Sequence, residues 1–212
     1  MSDPLPSGCL ITLDGIDGVG KSTQIQKLAD RLRSMGREVA LVRDPGSTEI
    51  GKRLRALLLD SDLNMHRRTE AMLFMASRCE MIEQTIRPAL ASGTVVISDR
   101  FLLANVVYQS VGGDVAADSL WEMGRIACGG LVPDLTLLLD LPVDVAWSRI
   151  EEQQDRMESR GPDYLSQVRD AFLRELSKTG GDSKIIDAAA SVDTVAENIS
   201  KVVREWFRCK RS

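Results

Sequence analysis

The sequence predicts an α/β domain in three layers, a parallel sheet of five strands with helices on both faces. Three observations carry that prediction. Short apolar runs of strand length recur along the chain, helical patterns separate them, and a glycine-rich turn joins the first run to the first helical pattern. Strands that are apolar throughout and alternate with helices imply parallel pairing, because each parallel return needs a crossover and each face a cover. With 212 residues and neither an internal repeat nor a low-complexity tract, one domain spans the chain, 1–212.

Cys9-Leu10-Ile11-Thr12-Leu13 reads as a buried first strand. After the glycine turn, Ile25, Leu28, Ala29 and Leu32 share one face of a helix that ends near Gly36, a residue suited to a left-handed cap. Glu38 to Val42 is a second strand, and Thr48 to Leu59 a helix stopped by Asp60-Ser61-Asp62. Thr69 to Ile86 is a long helix whose core stripe is Met75, Cys79, Ile82 and Ile86, with Pro88 near its end. Thr94 to Ser98 is the third strand, Leu135 to Leu139 the fourth and Lys184-Ile185-Ile186 a weaker fifth. Glu151 to Arg160 is the most polar stretch and reads as a mobile surface segment.

Composition removes several function classes. Apolar residues make up 43% of the chain, yet no run approaches the ~18 that a membrane span requires, so no membrane partner is expected. A formal charge of -4 and a pI near 5.2 leave no electrostatic footprint for a nucleic-acid backbone. Cys9, Cys79, Cys128 and Cys209 lack the spacing of a zinc site or a disulfide scaffold and read as plain thiols. The amino end lacks a basic stretch followed by a long apolar one, which gives cytoplasmic residence as the expectation. His66, the only histidine, lies in a polar stretch and reads as a surface residue.

Gly15-Ile16-Asp17-Gly18-Val19-Gly20-Lys21-Ser22 fits glycine, four residues, glycine, lysine and then a hydroxyl residue, between a strand and a helix. Glycines let successive backbone N–H groups turn inward, and the helix amino end adds partial positive charge, so a polyphosphate can be cradled. Lys21 would reach the outer phosphates and Ser22 would ligate Mg²⁺. The turn implies a nucleoside triphosphate without naming the reaction. Ligands of such sheets collect at the carboxyl ends of the strands. There Arg43-Asp44-Pro45-Gly46 follows the second strand and Asp99-Arg100-Phe101 the third. On the helix between them, Phe74 and Arg78 are four apart and share a face, a pair suited to stacking a base while bonding a carbonyl on its edge.

Together these segments resemble the bacterial thymidylate kinases: Asp14 to Gln24 around the glycine turn, Arg43 to Gly46, Leu73 to Arg78, Asp99-Arg100-Phe101 with Tyr108-Gln109, Pro133 to Asp140, and Asp155 to Glu158. They stand in family order across nearly the whole chain. The resemblance implies a P-loop kinase fold with a short lid at about 151–160, and ATP-dependent phosphorylation of dTMP with Mg²⁺ by direct in-line transfer. It assigns the ATP cradle to Gly15, Asp17, Gly18, Val19, Gly20, Lys21, Ser22 and Thr23, with Arg149 toward the adenine. Asp17 would bond the sugar 3′-hydroxyl of dTMP, and Arg43 and Arg100 would hold its phosphate. Phe74 would stack on thymine and Arg78 would bond its O4. Asn105 and Gln109 would serve the base edge, Tyr108 would underlie the sugar, and Pro45 would shape the pocket. Asp99 would serve Mg²⁺ through water. The family draws its catalytic arginine from the P-loop or from the lid; Val19 stands at the P-loop position, which leaves Arg156 first and Arg160 second. The resemblance also implies a homodimer.

The residues alone leave two rivals open, a kinase for another nucleoside monophosphate and a non-catalytic nucleotide binder. A GTPase switch is disfavoured, because the chain has no Asn-Lys-x-Asp segment for reading guanine.

Overall fold

The computed structural model describes residues 8–60, 63–113, 115–150 and 161–210, apart from the Ile150 side chain. Five strands form a single parallel sheet: β1 (Cys9–Asp14), β2 (Val39–Arg43), β3 (Val95–Asp99), β4 (Leu135–Asp140) and β5 (Asp182–Asp187). Their spatial order is β2-β3-β1-β4-β5. β1 lies at the centre, with Leu13 opposite Asp99 of β3 on one side and Leu137 of β4 on the other. Its six residues are all buried, as a strand covered on both faces must be. The edge strands β2 and β5 are largely exposed, which accounts for the faint fifth-strand signal: an edge has less apolar surface to hide. Each strand ends on a charged residue, Asp14, Arg43, Asp99, Asp140 and Asp187 in turn, so the carboxyl rim of the sheet is polar.

The helices are α1 (Lys21–Ser34), α2 (Glu49–Leu59), α3 (Arg67–Met81), α4 (Arg87–Ala91), α5 (Leu102–Ser110), α6 (Ala117–Ala127), α7 (Val143–Ile150), α8 (Pro162–Glu175) and α9 (Val192–Cys209). α1 buries Ile25, Leu28, Ala29 and Leu32, and Gly36 beyond its end has φ +78. The α1 helix packs against α9, while α5 packs against α3, α6 and α8. Thr48 caps α2, its hydroxyl accepting from the Gly51 N–H, and His66 caps α3 through Nδ1, accepting from the Arg68 N–H at 3.2 Å. Those contacts give the polar His66 stretch a definite local task.

The long helix departs from expectation in two respects. It continues past Pro88: a π turn at Ile82–Ile86, with the Arg87 N–H bonded to the Ile82 carbonyl, leads directly into α4. Proline has no N–H to lose, and the wide turn makes room for its ring, so the helix is bulged rather than ended. Second, Cys79 is exposed, not in the core. The inner stripe advances through Met75, Arg78, Ile82 and Ile86, and Arg78 is only 1% exposed because a buried carboxylate draws it inward.

Candidate active site

Gly15, Gly18 and Gly20 have φ of +142, +79 and +87, values that L side chains rarely adopt. At Gly15 space also decides, since a Cβ would stand 2.5 Å from the Leu139 carbonyl oxygen. Val19 is 3% exposed, so its side chain belongs to the core and only its backbone can face a ligand. Ser22 and Thr23 are exposed at the start of α1, whose first turn carries no acidic residue to repel an anion. Lys21 is buried, and its Nζ donates to the carbonyls of Ile16 at 2.7 Å and Gly15 at 3.1 Å. Burial, and then the Arg100 guanidinium, lower its ammonium pKa to about 8 against the pull of Asp17, Asp99 and Asp14.

Arg100 follows β3 in the left-handed region, with φ 68, and is held there by the Ser98 hydroxyl donating to its carbonyl at 2.5 Å. This turn sends the guanidinium back over the P-loop. Nη1 donates to the Gly15 carbonyl at 3.0 Å, and Nη2 meets the Asp17 carboxylate in a short ion pair. The guanidinium carbon lies 4.9 Å above the Tyr108 ring, and the Tyr108 hydroxyl donates to the other Asp17 oxygen at 2.8 Å. Burial works to raise the Asp17 pKa, but Arg100, Lys21 and the Tyr108 hydroxyl outweigh it and hold the carboxyl well below the usual range. Arg43 is largely exposed, with Nε 3.7 Å from an Asp99 oxygen. The Arg149 Nη1 reaches the Gly18 carbonyl at 3.3 Å.

Beside this network lies a cavity of about 120 Å³. Asp17, Arg43, Pro45, Phe74, Arg78, Arg100, Asn105, Tyr108 and Gln109 all line it. The structure thus brings every described residue expected for the acceptor around one space, contiguous with the P-loop through Asp17 and Arg100. Phe74 is partly exposed on its wall. Arg78 stands deeper than a helix-face residue: Nε pairs with Asp44 Oδ2 at 2.5 Å and Nη1 donates to Asn105 Oδ1 at 3.0 Å. The Asn105 amide in turn donates to Gln109 Oε1 at 2.7 Å. This chain orders the deep end of the cavity, where Asp44 Oδ1 and Gln109 Nε2 have no partner among the described residues.

Several contributors escaped the sequence reading. Arg55 on α2 donates to the Pro45 carbonyl at 3.2 Å and lines the cavity, a role its helix position alone does not signal. Asp44 carried no role in that reading, although it neutralises Arg78. Arg169 of α8 grips Asp140 at the tip of β4 through two bonds of 2.6 and 2.8 Å. The expected lid, with Arg156 and Arg160, lies outside the described residues.

The oxygen donors expected for a hard cation are the Ser22 hydroxyl, exposed in the first turn of α1, and the Asp99 carboxylate at the end of β3. Among the described residues no three His, Cys, Asp or Glu side chains could hold a metal alone.

Asp14, at the tip of β1, has 0% exposure, and neither carboxylate oxygen has a partner among the described residues. Burial raises its pKa from 3.8 to about 6, with Arg100 and Lys21 pulling the other way. The folded protein therefore binds this proton more tightly than the unfolded chain, and stability falls as pH rises from about 4 to about 6. Asp14→Asn is expected to stabilise the fold at pH 7 by about 3 kcal/mol, a gain that fades toward pH 4. Urea unfolding at both pH values checks it, and an equal gain at both would exclude this cause.

A family model for thymidylate kinase matches residues 13–199. The chain is similar to the thymidylate kinase of Rhodopirellula baltica, 65% identical over 202 residues that cover 95% of this chain and 82% of that protein. Those of Pseudomonas putida and Bifidobacterium longum (strain DJO10A) are 40% and 38% identical, covering 93% and 94% of this chain and 95% and 98% of their own.

Proposed function

This chain belongs to the thymidylate kinase family, and from that premise we propose how its own residues divide the phosphorylation of dTMP to dTDP. ATP is the donor, and its triphosphate lies along the backbone amides of Gly15 to Ser22 with Lys21 at the outer phosphates. Asp17, Arg43, Pro45, Phe74, Arg78, Arg100, Asn105, Tyr108 and Gln109 seat the acceptor. Ser22 and, through water, Asp99 would hold Mg²⁺, which would neutralise charge on the phosphate oxygens. An oxygen of the dTMP phosphate attacks the γ-phosphorus in line; that P–O bond forms as the bond to the β-phosphate oxygen breaks, and ADP leaves.

The observation that carries this reading is the joining of the two anion sites. Arg100 donates to the Gly15 carbonyl of the P-loop at 3.0 Å and lines the acceptor cavity with its ion-pair partner Asp17. One guanidinium reaching both sites supports a defined spacing between acceptor and donor phosphates, which is the geometric requirement of in-line transfer.

A coupled ADP-release assay with Mg²⁺ and ATP tests it. We expect dTMP to exceed UMP, GMP and AMP in kcat/KM by about tenfold or more, because buried polar groups left unpaired penalise the wrong base. Equal turnover with any of these would overturn the acceptor assignment. Arg156 supplies transition-state charge on lid closure, with Arg160 as second choice, since Val19 offers none. Arg156→Ala should lower kcat by about 10²-fold or more, and a kcat within about twofold of the parent removes it from the mechanism.

We also propose cytoplasmic residence and a homodimer. No helix among the described residues is long and apolar enough to cross a membrane. Met72 of α3 and Ile126 of α6, on helices packed together, are 58% and 83% exposed and supply apolar surface for a second copy.

A further inference from the structure

Behind the active site lies a second cavity, of about 340 Å³. It runs along the face of the sheet that carries Thr12, Asp14 and Thr136, beneath α5 and α6. Phe101, Leu102, Leu103, Trp121 and Cys128 form apolar walls, and Phe101 is also a wall of the acceptor cavity. Its mouth opens between exposed Arg125, exposed Gly130 and the segment Lys178 to Gly180. A space this size exceeds what one structural water fills and falls in the range of small-molecule sites, roughly 300–1,000 Å³.

Polar groups on its floor fall into two kinds. Thr12 and Thr136 satisfy one another, hydroxyl to hydroxyl at 3.2 Å. Asp14 does not: it is fully buried, lines the cavity, and both carboxylate oxygens lack a partner among the described residues. Lys21 and Arg100 are the cations that act on it most strongly, yet both spend donors on the Gly15 carbonyl instead. A buried acceptor without a donor is costly, and a ligand that supplies the donor recovers that cost. At the mouth, Lys178 is already paired with Asp118 and Glu175, each at 3.0 Å.

We propose that this rear cavity is a ligand site, distinct from the ATP and dTMP sites, for a small apolar molecule ending in a protonated amine. The amine points inward to the Asp14 carboxylate, and the apolar body lies between Leu103 and Trp121. A cationic donor suits an ionised acceptor better than a hydroxyl, because charge-assisted hydrogen bonds are about twice as strong as neutral ones.

Benzylamine, benzyl alcohol and toluene separate the contributions of charge, donor and apolar body. The Trp121 indole N–H, which donates to Glu175 Oε2 at 3.0 Å, is a resonance at the cavity wall, assigned by its loss in Trp121→Phe. In titrations of ¹⁵N-labelled protein followed at that resonance, benzylamine should bind saturably and more tightly than benzyl alcohol, and toluene most weakly. Asp14→Asn should weaken benzylamine by about tenfold, the factor equal to about 1.4 kcal/mol, and change benzyl alcohol far less. Leu103→Phe, which thickens a wall, should weaken all three. Excess dTMP should not displace the probe. A cavity that holds water alone gives no saturable shift, and that result overturns the proposal; so does equal benzylamine affinity in the Asp14→Asn protein, or displacement by dTMP. None of these readouts depends on kinase turnover, so their failure is distinguishable from failure of the assigned reaction.

Discussion

Lys21→Ala is expected to lower kcat by about 10³-fold while leaving the protein folded. The lysine is buried beside Asp17, its Nζ 3.7 Å from that carboxylate and within bonding distance of two P-loop carbonyls. Arg100 is engaged with Asp17 and Gly15, and Arg43 is largely exposed, so Lys21 is the P-loop cation that the proposed mechanism assigns to the outer phosphates. Charge builds on the transferring oxygens in the transition state, and a preorganised cation in a dry site acts on it far more strongly than one in water. Steady-state kinetics with circular dichroism as the folding control measure the loss. A kcat within about tenfold of the parent enzyme would show that another group supplies this charge.

The second large effect falls on stability. Arg78→Met leaves Asp44 buried without its counter-charge; the two side chains are 1% and 0% exposed and stand 2.5 Å apart. Burial already raises the Asp44 pKa, and Arg78 is what opposes that rise. Removing one partner of a buried pair costs about 3–5 kcal/mol, far more than removing both. The double variant Arg78→Met with Asp44→Leu should therefore recover most of the loss in urea unfolding. If the single variant loses less than about 1 kcal/mol, water or protonation already neutralises Asp44 and the pair is not the anchor of this wall. The deep end of the acceptor cavity would also loosen, since Arg78 holds Asn105 and Asn105 holds Gln109.

The parallel sheet was legible because its central strands must be apolar on both faces, and the P-loop because few other turns require that many glycines beside a lysine and a serine. The post-strand rule brought Arg43 and Arg100 to one rim, but Pro45, Asn105, Tyr108 and Gln109 were grouped with them only through the family resemblance. Arg78 shows where that reading runs out. Periodicity places it on a helix face, but its depth depends on Asp44, which is 34 positions away and reaches it only after folding. Cys79 was misplaced for the same reason, because the pairing turns Arg78 inward and its neighbour outward. The π turn escaped since Pro88 reads as a stop unless the bulge before it is seen. The rear cavity left no trace at all, being walled by segments that no local pattern links.

The closed triad of Asp17, Arg100 and Tyr108 has a consequence for what the acceptor site admits. Its guanidinium already rests on a carboxylate, so free inorganic phosphate would have to compete with that carboxylate, which would keep only Tyr108 and Lys21 as partners. On the proposed assignment, a nucleotide brings an alcohol along with its anion, and the alcohol would offer Asp17 a fresh donor in exchange for the one surrendered. A site built this way would act as a two-key lock, in which the anion turns one key and the sugar the other.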